Sequence, residues 1–159
     1  MPDLLVPLLT LPDPAPLIGR LRDQGIVIRR AQVFEQTPIR DFVAARFSLG
    51  WADEIAAAYA NKPVTLYIAI HTGRVIGFGA YECTRRDFFG PTGVDPAFRS
   101  KGVGRALLLM CLQGLREMGY AYAIIGGAGP VAFYESACNA RVIPDSEPGI
   151  YADPLAPRG

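Results

Sequence analysis

The sequence predicts an α/β (α+β) domain with a mixed, mostly antiparallel central sheet and helices on both of its faces. Two apolar segments of strand composition, residues 64–70 and 75–82, flank the short turn His71–Arg74, as in an antiparallel hairpin. A long segment of helical periodicity, residues 102–118, lies between two further strands, as in a parallel strand-helix-strand unit. Half of the 159 residues are hydrophobic, so the chain can bury a substantial core.

The first half of the chain predicts a strand, two helices and the antiparallel hairpin. Thr37-Pro38 supplies an N-cap residue and a proline for the first helical turn. Asn61-Lys62-Pro63 ends the second helix. The predicted elements are a strand from Gly25 toward Phe34, a helix from about Pro38 to Ser48, a helix from about Ala52 to Ala60, and strands Val64–Ile70 and Val75–Glu82.

The second half predicts an irregular strand, the longest helix and a second strand-helix-strand unit. Gly90-Pro91 and Gly93 interrupt the strand Phe88–Val94, because neither residue type supports regular pairing. The full order is β-α-α-β-β-β-α-β-α-β. The remaining predicted elements are the helix Gly102–Met118, the strand Tyr120–Ile125, the turn Gly126–Gly129, a helix from Pro130 to about Cys138, and a strand near Ala140–Ile143.

Residues 1–159 are interpreted as one domain with two proline-rich ends. The segment 1–16 contains Asp3, Asp13 and five prolines, which predicts an irregular arm rather than a signal peptide. The segment 144–159 is predicted to be a tail. Two roles for it stay open, covering a binding site and reaching a partner subunit in a homodimer. No run of eighteen apolar residues occurs, so no membrane partner is expected.

Charge and cysteine content narrow the function classes further. The formal net charge is +1, which argues against nucleic acid as a partner. Cys83, Cys111 and Cys138 are odd in number and widely spaced, which fits neither a disulfide framework nor a metal site. We therefore expect no metal and a cytoplasmic location.

The most informative segment joins the irregular strand to the longest helix. Val94-Asp95-Pro96 is followed by Arg99-Ser100-Lys101-Gly102-Val103-Gly104, and glycines with cations before a helix favour anion binding. A simple tight turn is one alternative interpretation. A dinucleotide fold would need a third glycine where Leu107 stands, and a Walker loop would need Gly-Lys-Ser/Thr.

This segment resembles the acyl-CoA pyrophosphate loop of the GCN5-related N-acetyltransferase (GNAT) superfamily, V-x-P-x-x-[QR]-x-x-G-x-[GA]. Phe133-Tyr134-Glu135 resembles the family's F-Y-x-x-x-G-F segment, although Cys138-Asn139 replaces Gly-Phe. The resemblance implies an enzyme that transfers acetyl from acetyl-CoA, its co-substrate, to a small-molecule amine by direct attack in a ternary complex. It implies that the cofactor-binding residues are Thr92, Gly93, Val94, Arg99, Ser100, Lys101, Gly102, Val103, Gly104 and Arg105.

The same resemblance implies catalytic roles for named residues. Tyr134 is predicted to protonate the departing thiolate, and the backbone N–H of Thr92 to face the thioester carbonyl. Three carboxylates compete for the role of base, and Glu82 is chosen ahead of Glu54 and Asp87. Aromatic residues on the acceptor side favour a small or aromatic amine; they are Trp51, Tyr59, Phe88 and Phe89.

Three alternatives stay open at this point. One is a non-catalytic, acyl-CoA-binding or regulatory domain of the same fold. Another is a transferase of a different acyl group, since the pocket volume cannot be derived from the sequence. The third is an acyl-cysteine route through Cys138, which stands four residues after Tyr134 on the same helical face.

Overall fold

A seven-stranded sheet forms the centre of the computed structural model, which describes residues 1–156. In chain order the strands are β1 (Leu4–Pro7), β2 (Ile26–Arg30), β3 (Leu66–His71), β4 (Arg74–Tyr81), β5 (Phe88–Val94), β6 (Tyr122–Ile125) and β7 (Arg141–Val142). Their order across the sheet is β2-β3-β4-β5-β6-β1-β7.

The strand directions confirm the predicted mixed sheet. Strands β2 to β5 pair antiparallel in sequence order. The β5–β6 pair is parallel, and β1 then runs antiparallel to both β6 and β7. The single parallel pair is the one joined by the longest helix, as the strand-helix-strand pattern predicts.

Helices cover both faces of the sheet, as predicted. They are α1 (Ala15–Asp23), α2 (Gln36–Arg46), α3 (Leu49–Ala56), α4 (Val103–Glu117) and α5 (Val131–Cys138). Helices α1, α4 and α5 share one buried cluster with the sheet, and α2 and α3 share the other. No helix in residues 1–156 combines the length and apolar content that crossing a membrane requires.

The N-terminal arm differs from the prediction. Residues 4–7 form a strand, because Leu4 and Val6 are fully buried while Leu5 between them is 38% exposed, which is the alternation of a strand with one face in the core. Residues 8–14 are irregular, as predicted. The strand β1 inserts between β6 and β7. Helix α1 is a further element that the sequence analysis missed. Its start signals, Pro16 in the first turn and Asp13, whose Oδ1 accepts from the Ala15 amide, lie within the proline-rich segment that was interpreted as irregular.

The C-terminal end is only partly as predicted. The strand expected at Ala140–Ile143 is reduced to the two residues of β7 at the outer edge of the sheet. The tail 144–156 contains a short 3₁₀ turn at Gly149–Tyr151, and residues 157–159 of the predicted tail lie outside the described residues.

Close packing of α4 against β4 sets the position of that helix. A Cβ atom built at Gly114 would lie 2.4 Å from Cζ of Tyr81, and one built at Gly77 would lie 3.2 Å from Cδ1 of Leu107. Glycines on the helix and on the strand therefore allow an approach that side chains would prevent. As a result the N-terminus of α4 lies beside the end of β5.

Candidate active site

The sheet opens between β5 and β6. These strands pair only at Phe88 with Ile124 and at Phe89 with Ile125. From Gly90 onward β5 continues along β4, while β6 ends at Ile125. The opening agrees with the irregular strand that the glycines and proline predict, and it leaves one side of the second half of β5 without a strand partner.

A cavity of about 500 Å³ occupies this opening. That volume is in the range of small-molecule sites. Its walls come from α3, β5, the end of β6 with the following glycine turn, α5 and the C-terminal segment. The lining residues with functional side chains are Trp51, Glu54, Thr84, Phe88, Thr92, Tyr134 and Tyr151.

Tyr134 reaches the cavity from helix α5. Its side chain is 6% exposed, and its ring packs against Phe89 and Phe133 at centroid distances of 6.2 and 5.2 Å. Burial raises the pKa of the Tyr134 hydroxyl to about 12, because the charged phenolate is poorly solvated there. The phenol is therefore protonated at neutral pH and can act as a proton donor.

The second half of β5 provides backbone rather than side chains. Thr92 lines the cavity, and its Oγ1 donates a hydrogen bond of 3.0 Å to the carbonyl oxygen of Phe78. At Gly93 a Cβ atom would lie 2.5 Å from Cζ of Phe47, so no larger residue fits. The predicted binding segment 92–94 is thus an extended strand edge beside an open cavity.

The loop after β5 leads into α4, whose first backbone amides have no side-chain cap. Ser100 and Gly102 have φ values of +65° and +94°, and Gly102, the N-cap, makes no side-chain capping hydrogen bond. The first amides of α4 therefore lack a side-chain cap and lie at the positive end of the helix dipole, an arrangement that suits an anion. The side chain of Arg99 turns back, and its Nε donates to the carbonyl of Val94 at 3.2 Å.

A second cavity, of about 450 Å³, lies beside this helix start. Lys101 and Arg105 line it from the loop and α4, and Arg20 lines it from α1. Asp13 is the one carboxylate that residues 1–156 contribute to the lining, and its Oδ1 accepts a hydrogen bond of 3.0 Å from the Ala15 amide. The sequence analysis missed Arg20, because it lies far from the motif in the chain and belongs to an unrecognised helix.

Sequence comparison finds a family match. A family model described as "Acetyltransferase (GNAT) domain" matches residues 62–137. This segment is of the GNAT type. No curated protein sequence matches the chain significantly. The matched residues include β5, the loop 95–102, named the anion loop below, α4 and Tyr134, which contribute part of the lining of the two cavities.

Solved structures show the same GNAT fold. The glucosamine N-acetyltransferase region of a fungal multi-domain GH3 β-N-acetylglucosaminidase aligns with a TM-score of 0.71 and 16% identity over 89% of this chain and 19% of that one. A GNAT from Sphaerobacter thermophilus aligns with a TM-score of 0.65 and 17% identity, over 89% of this chain and 48% of that one. The GNAT domain described here therefore spans about a fifth and about half of the lengths of these two chains.

The structure gives the predicted base, Glu82, a position outside the cavity lining. Its Oε1 accepts a hydrogen bond of 2.8 Å from the Tyr120 hydroxyl, and its Oε2 accepts one of 2.6 Å from the Asp87 amide. These bonds hold the loop between β4 and β5. A catalytic role of Glu82 stays a prediction, and the geometry does not bring it to Tyr134. Glu54, which was weighed and not chosen, does line the cavity.

The cavity lining contains three of the four aromatic residues that were predicted to face the acceptor amine, and one aromatic residue that was not predicted. Trp51, Phe88 and Phe89 line the cavity, but Tyr59 does not. Tyr151 from the C-terminal segment lines it instead. No local signal in the sequence identifies Tyr151, because only the course of the tail over the sheet brings it there.

The cysteines have the environment of core residues. Cys138 is buried, and its Sγ donates to the carbonyl of Tyr134 at 3.2 Å. Burial raises the pKa of the Cys138 thiol to about 11, so little thiolate is present at neutral pH. This geometry gives no support to the acyl-cysteine route. No cluster of metal-ligating side chains occurs in residues 1–156.

The buried environment of Asp87, in the loop between β4 and β5, predicts how the stability of the fold depends on pH. Its Oδ1 is buried and has no hydrogen-bond partner within residues 1–156. Burial and, second, the charge of Glu82 raise the pKa of Asp87 from 3.8 to about 6. The folded state thus binds the proton more tightly than the unfolded chain, so stability contributed by Asp87 is lost as the pH rises from about 4 to 6.

We expect Asp87→Asn to reduce this loss of stability with pH. The gain at pH 7.5 should be about 1 kcal/mol after allowance for the partial exposure of the side chain. Asparagine also tolerates the φ of +65° at this position. Urea unfolding at pH 4.5, 6.0 and 7.5 measures the effect, and a variant with the same pH slope as the wild type would contradict it.

Proposed function

We propose that this GNAT domain is an acetyl-CoA-dependent N-acetyltransferase that acetylates a small-molecule amine by direct attack in a ternary complex. The observation that carries the proposal is the position of β5 between two different sites. Its first residues line the cavity that contains Tyr134, and its end leads into the loop whose cations line the second cavity. One elongated ligand with an anionic end and a reactive end fits this arrangement.

The residues present suit the parts of coenzyme A. The diphosphate would accept hydrogen bonds from the first amides of α4, at Val103 and Gly104, with Lys101 and Arg105 supplying positive charge. The pantetheine arm, which carries amide groups, would pair with the edge of β5 like an added strand. The acetyl thioester would then lie in the cavity beside Tyr134.

The chemistry requires an amine, a carbonyl and a proton donor in this cavity. The neutral amine nitrogen attacks the thioester carbonyl carbon, a C–N bond forms and the C–S bond breaks. We assign the backbone N–H of Thr92 to the carbonyl oxygen and Tyr134 to the departing sulfur. The amine loses its extra proton to water or to a carboxylate, and the thiolate receives one from the phenol. The Tyr134 phenolate then regains a proton from solvent, so that the amide and the free thiol are the net products.

The raised pKa of Tyr134 is compatible with this role. An ordinary thiol is more acidic than a phenol with a pKa of about 12. Burial also raises the pKa of a thiol, however, because the thiolate is poorly solvated. A sulfur that leaves into this cavity is therefore a stronger base than a thiolate in water, which favours proton transfer from Tyr134.

Two measurements on the purified protein test the proposal. Calorimetry with coenzyme A should give saturable 1:1 binding, and a thiol-reactive chromophore should report release of coenzyme A from acetyl-CoA that depends on added amine. Binding without amine-dependent release would favour the non-catalytic acyl-CoA-binding domain. Absence of binding heat at millimolar coenzyme A would contradict both functions.

A further inference from the structure

The cavity has an acceptor wall that is chemically different from the rest of its lining. We define the acceptor wall as Trp51, Glu54, Thr84, Phe88 and Tyr151. Resting on the proposed function, we propose that the acceptor wall binds the ammonium group of a compact monoamine with an apolar or aromatic body. We assign Glu54 as the anchor of the ammonium group and Tyr151 as a specificity-determining residue.

Glu54 is the one charged side chain in the lining of the cavity in residues 1–156. The Thr84 hydroxyl donates a hydrogen bond of 2.6 Å to its Oε2. This bond holds the carboxylate in one orientation and leaves Oε1 able to accept from a ligand. An ammonium group provides N–H donors and a compensating charge, which together make a strong, charge-assisted hydrogen bond.

Aromatic rings line the same cavity as this carboxylate. Trp51 and Phe88 line the cavity from α3 and β5, and Tyr151 lines it from the C-terminal segment. Burial and, second, the carboxylates of Glu54 and Asp3 raise the pKa of the Tyr151 hydroxyl, which agrees with a position near both acids. Ring faces attract organic cations and bury apolar groups, so the acceptor wall suits an amine that carries both.

Asp3 holds Tyr151 in place. The Asp3 amide donates to Ser146 Oγ at 2.9 Å, its Oδ1 accepts from the Gly127 amide at 2.8 Å, and its carbonyl accepts from the Ile143 amide at 2.9 Å. These bonds join β1, the glycine turn and the C-terminal segment. The Tyr151 ring consequently lies against Gly127, where a Cβ atom would be 3.0 Å from Cε2 of the ring. Asp3 thus links the C-terminal segment that carries Tyr151 to the glycine turn.

Volume and charge limit the ligand class. The cavity of about 500 Å³ must hold the thioester end of the acetyl donor as well as the acceptor. An amino acid would bring its own carboxylate close to Glu54, and like charges repel in a partly buried site. A diamine would bring a second ammonium group for which the described lining contains no second carboxylate. A monoamine avoids both costs.

Steady-state kinetics with a matched pair of amines tests the ligand class. The probes are 2-phenylethylamine and phenylalanine, which share the phenyl body and differ by a carboxylate. We expect kcat/KM for 2-phenylethylamine to exceed that for phenylalanine by at least roughly tenfold. Glu54→Gln should raise the KM for 2-phenylethylamine roughly tenfold to a hundredfold. It should also lower the ratio of kcat/KM for 2-phenylethylamine to that for phenylalanine. The KM for acetyl-CoA should change less than twofold. Glu54→Asp should restore part of the affinity.

A binding measurement separates this proposal from catalysis. Trp51 is the only tryptophan in the chain, so its fluorescence reports on the acceptor wall directly. In the presence of coenzyme A, 2-phenylethylamine should change this fluorescence saturably, and the apparent Kd should rise several-fold in Tyr151→Ala and more in Glu54→Gln. Circular dichroism checks that both variants are folded.

The outcomes for the two proposals differ. Equal use of the two amines, or an unchanged Kd and KM for 2-phenylethylamine in folded Glu54→Gln, would overturn the assignment of the acceptor wall while amine-dependent thiol release still supports the transferase. Saturable amine binding that depends on Glu54, without thiol release for any amine, would support the acceptor wall and overturn the proposed catalysis.

Discussion

Replacing Tyr134 by phenylalanine is expected to lower kcat by roughly a hundredfold, which is the lower end of the usual contribution of a general acid. The substitution removes only the hydroxyl, so the ring contacts with Phe89 and Phe133 and the packing of α5 are kept. The departing sulfur then has to leave as an unprotonated thiolate in a buried cavity. Stopped-flow or steady-state thiol release with a saturating amine measures the effect.

Two controls sharpen the Tyr134 experiment. Tyr122→Phe removes a hydroxyl from a tyrosine of β6 that is 56% exposed, and it should leave kcat unchanged. The Kd for coenzyme A should be the same in wild type and Tyr134→Phe, because the hydroxyl acts on the reacting sulfur and not on the diphosphate. A kcat within twofold of the wild type in Tyr134→Phe would exclude Tyr134 as the acid.

The raised pKa of Tyr134 also predicts how kcat depends on pH. Because burial raises this pKa to about 12, the phenol stays protonated across the pH range in which enzyme activity is measured. The kcat of the wild type should therefore show no loss from Tyr134 ionisation up to about pH 10. A descending limb near pH 8 that disappears in Tyr134→Phe would contradict this environment for the residue.

The double substitution Lys101→Glu with Arg105→Glu is expected to weaken coenzyme A binding about a hundredfold at low salt. Both side chains line the second cavity beside the start of α4, and reversing each charge replaces attraction to a phosphate by repulsion, at about 1 to 1.5 kcal/mol per exposed residue. Added salt should reduce the difference from the wild type, since it screens exposed charges.

Calorimetry at 20 and 500 mM NaCl measures this loss and its salt dependence. Arg116→Glu, an exposed residue at the other end of the same helix, is the matched control and should bind coenzyme A like the wild type. Equal loss in Arg116→Glu would indicate a non-specific effect of charge. Wild-type affinity in the double variant would show that the diphosphate is not held at the start of α4.

The elements that the sequence predicts well are those whose signals are local. The hairpin turn at His71–Arg74, the period of apolar residues in α4 and the glycines around the anion loop are each contained in a short window. Gly102 has a φ of +94°, which explains why a glycine is needed there. Such windows determine local structure because their hydrogen bonds and buried faces lie within a few residues of one another.

The parts that the sequence analysis missed depend on contacts between distant segments. Nothing in residues 1–16 indicates that β1 lies between β6 and β7, because the pairing of Leu4 with Ile125 and with Val142 exists only in the folded chain. The presence of Glu54 in the cavity lining has the same origin. Glu54 and Glu82 are both carboxylates near predicted strands or helices, and only the packing of α3 over the sheet brings Glu54 to the cavity.

By itself the sequence determined the α/β class and the glycine-containing loop before α4, since these follow from periodicity and from residues close together in the chain. The resemblance of Phe133-Tyr134-Glu135 to a GNAT segment made Tyr134 a candidate acid. The tertiary structure alone decided which charges and rings meet. Arg20 joins Lys101 at one cavity, and Tyr151 joins Glu54 at the other. These encounters follow from burial of apolar surface over the whole domain, which no single window of sequence contains.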